Sequence, residues 1–238
     1  MELVGEVFAW FADPANWGGV PGIPNRTFEH VWLSALTVAV GSAIALPVGF
    51  AIGHTGRGAF LAVSVANIGR ALPSYSLLLI FFTFFGVGFA TAFPALLVLT
   101  IPPVLTSTYV GVKEVDRDMV EAGRGMGMTE LQLLRRVELP MALPVIIAGV
   151  RIAAVQVVAT ATLAALVGGG ALGRFIVDGF GLQQHDQLVG GAILVALLAL
   201  LTERSFTLLE RRVVSPGLRG ALDTQPAATP RPVLEMGG

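Results

Sequence analysis

The sequence predicts an all-α polytopic membrane protein with five transmembrane helices, six being the alternative. Three observations lead there. Apolar residues make up 54% of the 238 and charged residues only 13%, with a mean hydropathy of +0.77, whereas soluble domains carry about 25% charge. The apolar residues gather into runs near or above the ~20 residues that cross a bilayer core. Lys and Arg are shared very unequally between the two sets of connecting loops.

Taken in order, residues 1–29 read as an extracytoplasmic or interfacial segment. They lack the positive start of a cleaved signal peptide, and Trp10 and Trp17 suit a membrane–water boundary. The first span runs from about Val31 to Gly53 and the second from about Ala59 to Gly86, interrupted at Pro73. The second is long enough to be one kinked span or two helices, which is the source of the six-span alternative. A third span covers about Phe89 to Val112 with Pro102 and Pro103 inside it, a fourth Met141 to Val167, and a fifth Leu188 to Leu209. Internal prolines are tolerated where neighbouring helices and hydroxyls satisfy the freed carbonyls. Residues 211–238, rich in Pro, Ala and Gly after Ser215, read as a disordered tail.

Five spans put eleven Lys and Arg residues on one side, from Arg57 and Lys113 through to Arg231, against Arg26 and Arg174 on the other. By the positive-inside rule the loop 113–140 and the C-terminus are cytoplasmic. A net charge of −1 gives no footprint for nucleic acid. With no cysteine there is no disulfide framework or thiolate site.

The loop 113–140 is the most informative stretch. Residues 116–126 can form a short helix with Met119, Ala122, Gly123 and Met126 on one face, and Arg117 and Glu121 spaced to pair. Small residues at 122 and 123 allow another surface to approach closely, Gly125 and Gly127 permit a sharp turn, and Leu139-Pro140 is expected to end the next segment. On these grounds alone the loop could be an ordinary amphipathic connector. Its spacing, however, resembles the EAA loop of bacterial ABC importer permeases: Glu-Ala-Ala, three residues, Gly, nine residues, Ile-x-Leu-Pro. Glu121, Ala122, Gly127, Leu139 and Pro140 match outright, while Gly123 and Val137 are mild replacements. Val145–Arg151, Ala159–Ala165, Gly168–Gly173 and Ala71-Leu-Pro-Ser74 are similar to the osmoprotectant branch, the permeases for glycine betaine, choline, carnitine and related compounds. The likeness covers roughly Phe28 to Glu210, so that 30–210 reads as one permease domain.

The resemblance implies a type I ABC importer permease fold in the cytoplasmic (inner) membrane, with a coupling helix that docks on a dimer of ABC ATPase subunits. It also implies a second permease copy or a homologous permease, an extracytoplasmic substrate-binding protein, and ATP and Mg on the partner ATPase, leaving this chain without a cofactor. The sequence agrees in holding no Gly-x-x-x-x-Gly-Lys-Ser/Thr. The run Gly168–Gly170 lacks the following Lys and reads as a flexible external turn. Pro73, Ser74, Tyr75, Thr160 and Thr162 are the candidates for the translocation path.

The remaining polar features give less. His30, His54 and His185 lie apart at span boundaries, without the convergence a metal needs, and no hydrolase motif occurs. Arg70 and Arg151 lie within apolar segments, where an arginine costs about 2.5–3.5 kcal/mol on insertion scales; an interhelical anchor is the expected role, a gate on the path the alternative. Phe81, Phe82, Phe84, Phe85 and Tyr75 could cage a quaternary ammonium but are expected to face lipid or neighbouring helices. The acidic residues are expected at or outside the span ends, without the paired intramembrane carboxylates of an ion-coupled transporter.

Overall fold

Small residues repeating every four positions decide how the bundle packs. In the computed structural model, which describes residues 2–213 apart from the side chains of Leu61, Val65 and Arg70, helix α2 (Ile23–Thr55) lies along α5 (Phe89–Lys113). A methyl group on Gly49 would sit 2.6 Å from Cβ of Thr108, and one on Gly53 2.7 Å from Cβ of Val112. Glycine is what allows this approach. The facing threonines keep their hydroxyls satisfied within their own helix, Thr100 donating to Leu96 O at 2.8 Å and Thr108 to Val104 O at 2.7 Å.

The chain begins with α1 (Glu2–Ala12), which packs Trp10 edge-on against Phe175 and over Gly190. Trp10 is therefore buried at 7% exposure, its ring covered by protein; Trp17 is half exposed, its indole N–H donating to Phe11 O. Helix α2 starts at Ile23, eight residues before the apolar run at Val31 that marks the expected span, because Gly22 is extended and Pro24 stands in the first turn. The N-terminal segment expected to extend to residue 29 thus ends inside the sequence range of α2. Helices α3 (Ala59–Ala71) and α4 (Ser74–Phe85) follow, bent by 91° about Leu72-Pro73. At roughly 20 Å each, neither reaches across a ~30 Å core alone. The start of α3 adjoins the C-terminal end of α2, while Gly88, just after α4, donates its N–H to Val167 O at the opposite end of the bundle. The pair is one broken crossing, which gives five spans and not six.

After α5 come the loop helices α6 (Arg117–Gly125) and α7 (Glu130–Leu133), a π-helical turn (Leu134–Glu138), and α8 (Leu139–Thr160), extended by a 3₁₀ stretch, Ala161–Val167. The helix runs without a break from Glu130 to Val167. Leu139-Pro140 does not end a segment as expected: the wider π turn, in which Leu139 N–H reaches Leu134 O, accommodates a proline without a donor. Helices α9 (Gly173–Gly181) and α10 (His185–Val213) complete the described chain. The tail expected from 211 cannot begin before α10 ends at Val213, and the expected disorder after Ser215 lies outside the described residues.

Charges inside the bundle are paired. Arg151 of α8 reaches Glu203 at 3.5 Å and Glu210 at 3.3 Å on α10, as an interhelical anchor. Glu203 departs from the expectation that acidic residues avoid span interiors; it lies well inside α10 as the counter-ion of Arg151. The Arg70 side chain lies outside the described residues. Gly168–Gly170 is a packed turn and not a loose one: Gly168 is left-handed, Gly169 N–H bonds Ala164 O, and Ala171 N–H, just after the run, bonds Glu29 Oε2 at 2.7 Å.

Candidate coupling site

The segment between α5 and α8 is set by caps that the sequence writes explicitly. Asp116 Oδ1 accepts from Asp118 N–H at 2.9 Å and starts α6. The helix ends in a Schellman motif: Gly127 N–H bonds Arg124 O at 2.9 Å and Met128 N–H bonds Gly123 O at 3.2 Å, with Gly127 left-handed at φ +81°. Gly125 keeps an ordinary φ, so the turn depends on Gly127 alone. Thr129 and Gln132 then form a reciprocal capping box that starts α7.

The seven motif residues divide by direction. Gly123, Val137 and Leu139 face inward: Leu133, fully buried, places its Cδ1 only 2.7 Å from where a Gly123 methyl would lie, and Leu139 packs on the cluster of Val112, Val115, Ala142 and Ile146. Gly127 and Pro140 shape the backbone. Glu121 and Ala122 are left to face outward, both exposed. They are joined by Met119 and Met126, exposed at 49% and 72%, and by Leu131 at 56%. The expected face of Met119, Ala122, Gly123 and Met126 is thus exposed at three of its four positions, with Gly123 turned into the loop.

The expected Arg117–Glu121 pair is not among the described ion pairs. Instead Arg124 grips Glu130 with two hydrogen bonds of 3.0 and 3.1 Å, which raise the guanidinium above its ordinary value. Glu130 in turn lies 3.1 Å from His54 Nε2, and His54 Nδ1 lies 2.6 Å from Glu138 Oε2. Glu138 is buried at 5% exposure within the π turn. His54, Arg124, Glu130 and Glu138 were not legible as site residues; the His54–Glu138 contact spans 84 positions, and only the bundle brings it together.

Tyr75 is half exposed on α4, Thr160 returns its hydroxyl to Gln156 O, and Thr162 sits beside Leu166 and Phe180 at the far end of α8. A separate cavity of about 350 Å³ lies at mid-depth between α3, α5 and α8, lined by Gly69, Pro102, Pro103, Ser107, Ile152 and Gln156. Gln156 is exposed and its side-chain amide has no hydrogen-bond partner among the described residues. Phe82, Phe84 and Phe85 face outward at 41%, 77% and 55% exposure, and Phe81 stacks on Phe85 at 6.0 Å, so these rings form no cage.

Residues 41–215 match the family model described as "Binding-protein-dependent transport system inner membrane component". The chain belongs to this family. It is a multi-pass permease-type membrane protein with the ABC importer permease fold. Among curated relatives it is 37% identical over 195 residues to the glycine betaine/carnitine/choline transport system permease protein OpuCB of Bacillus subtilis, covering 82% of this chain and 90% of that one. It is 39% identical over 196 residues to the carnitine transport permease protein OpuCB of Listeria monocytogenes, with the same coverage. Among solved structures, an inward-facing form of the MetNI methionine ABC transporter aligns with a TM-score of 0.70 at 25% identity, covering 79% of this chain and 94% of that one.

Proposed function

We propose that this permease is the membrane-spanning subunit of an ATP-driven importer for a quaternary-ammonium osmoprotectant of the glycine betaine, choline, carnitine or proline type. The observation that carries the reading is the capped, outward-facing helix α6, whose Met119, Ala122 and Met126 surface has no cover among the described residues while its other face is locked by Leu133. The resemblance to the relatives named above, each over 82% of this chain, supplies the solute class. In this reading loop 113–140 is cytoplasmic. An ATPase dimer, carrying ATP and Mg, grips α6 of this chain and of a second permease, either a copy or a homologue. Closure of the ATPases on ATP then rocks the two permeases, and an external binding protein delivers the solute. Such coupling needs differential contacts in two global states, not chemistry in the membrane.

An importer of another small solute, such as an amino acid, is the second reading, favoured by the shared fold with a methionine transporter. The higher identity to osmoprotectant permeases weighs for the first. The two separate in reconstituted vesicles holding this permease, its ATPase and its binding protein. Uptake of labelled glycine betaine, choline or carnitine that needs both ATP and binding protein supports the first; ATP-dependent uptake of methionine but of none of these supports the second. Uptake by the permease alone, driven by an ion gradient, refutes both.

A further inference from the structure

Between the C-terminal end of α2 and helix α6 lies a polar cavity of about 300 Å³, lined among others by His54, Lys113, Arg117, Glu121 and Glu138. Across this gap runs one chain of polar side-chain contacts: Arg124 on α6 to Glu130 on α7, Glu130 to His54 on α2, and His54 to Glu138 in the π turn. Each nitrogen of the His54 ring faces a carboxylate oxygen, at 2.6 and 3.1 Å. The site of attachment on α2 is stiff, since Gly53, the preceding residue, is pressed against Val112 of α5. At the other end, Glu138 sits in a π turn, a local widening that recurs at functional points in helices.

We propose that His54 and Glu138 are positioning residues that carry displacement of α6 into α2, giving the loop a second mechanical link to the bundle besides its covalent joins to α5 and α8. This rests on the coupling role proposed for α6. The link holds α2 and α7 at a fixed separation while the loop is pushed, so the α2–α5 pair moves with the loop instead of lagging behind it.

The test must separate transmission from simple stabilisation, because removing one member of a buried charged pair strands the other. The double variant His54→Ala with Glu138→Gln removes both the link and the stranded charge. Expected is a complex that assembles with its ATPase and hydrolyses ATP, but whose uptake per ATP falls by about fivefold or more, the range of ordinary energetic coupling between sites. Wild-type uptake per ATP in the double variant would overturn the proposal and leave the pair as a local stabiliser. A second measurement does not depend on that variant folding. The chain has no cysteine, so cysteines replacing the exposed Thr55 and the exposed Arg135, on the π turn that continues α7, can carry spin labels in the otherwise wild-type complex. Their distance should stay the same without nucleotide and with ATP; a shift of several ångströms would overturn the link even if transport were normal. ATP- and binding-protein-dependent uptake by the wild-type complex is the reference throughout. Its absence would count against the importer reading, whereas the label distance tests the link by itself.

Discussion

Gly127 offers the sharpest test of how the loop is built, because nothing surrounds it. A methyl group placed there meets no atom within 4 Å, so any cost of substitution comes from the backbone, held at φ +81°. For an L-residue other than Asn or Asp, the left-handed conformation costs about 1–2 kcal/mol, and β-branched side chains are the least tolerant. Against this stand the two Schellman hydrogen bonds from Gly127 and Met128, each worth about 1 kcal/mol net. Alanine should therefore keep the turn at a cost of about 1 kcal/mol, while valine brings strain level with the bonds that oppose it. Asparagine, which visits this region readily, should behave nearly as glycine. Since 1.4 kcal/mol is tenfold in an equilibrium, the ratio of correctly aimed to misaimed loops should fall by roughly fivefold for Gly127→Ala and by tenfold or more for Gly127→Val, which leaves about half of the loops aimed. The assay is uptake per ATP hydrolysed in the reconstituted complex, with ATPase affinity measured alongside. The order Gly ≈ Asn > Ala > Val is expected. Equal losses for Asn, Ala and Val would refute the backbone argument and point to a direct contact between Gly127 and the ATPase.

Other substitutions separate the outward from the inward face of the loop. Met126→Asp should weaken ATPase binding by tenfold or more, the scale of an interface anchor, with the melting temperature of the purified permease unchanged. Leu133→Ala should destabilise the loop by about 2–5 kcal/mol, read as faster proteolysis between α5 and α8. Gly123→Ala should be mild, because only the terminal methyl of Leu133 must move, whereas Gly123→Phe should lift α6 and abolish uptake; equal behaviour of the two would argue against the Leu133 contact. Gln156→Leu should lower uptake while ATPase assembly stays normal, and unchanged uptake would remove the cavity beside Pro102 from the transport path.

The sequence carried the spans well, since burial in lipid demands long apolar runs and these survive as α2, α5, α8 and α10. It carried the loop helix as well, because Asp116, Gly127, Thr129 and Gln132 act on their own neighbours and caps are local chemistry. What it could not carry was anything set across the bundle. His54 read as a lone histidine at a span boundary, and Glu203 counted among the acidic residues expected at or outside the span ends; each makes sense only through a partner 84 or 52 positions away. The burial of Trp10 is set in the same way, by Phe175 and Gly190. The early start of α2 was missed differently: Asn25, Arg26 and Glu29 are helical but polar, so hydropathy alone places the boundary at the edge of the apolar run and not at the cap.

The π turn explains why a proline can close the motif without breaking it. An α-helical residue 140 would donate to the carbonyl of 136, which proline cannot do and whose approach its ring obstructs. Widening the helix by one residue between Leu134 and Leu139 opens the spiral at that place, and Glu138 comes to rest buried beside His54. The helix then continues into α8 unbroken, as far as Ile152 and Gln156 on the mid-depth cavity. A push on α6 reaches Leu133 through Gly123 and continues along one helix, with the covalent backbone as its rod. Replacing Pro140 by alanine tests this directly. If the π turn exists to admit proline, alanine lets an ordinary α-helix form, and Glu138 should rotate by about 100° away from His54. The expected result is loss of coupling with unimpaired folding, and a Glu138 carboxyl that becomes reactive toward a water-soluble carbodiimide. Full coupling with residue 138 still buried would show that the turn is held by the His54 contact and not by the proline.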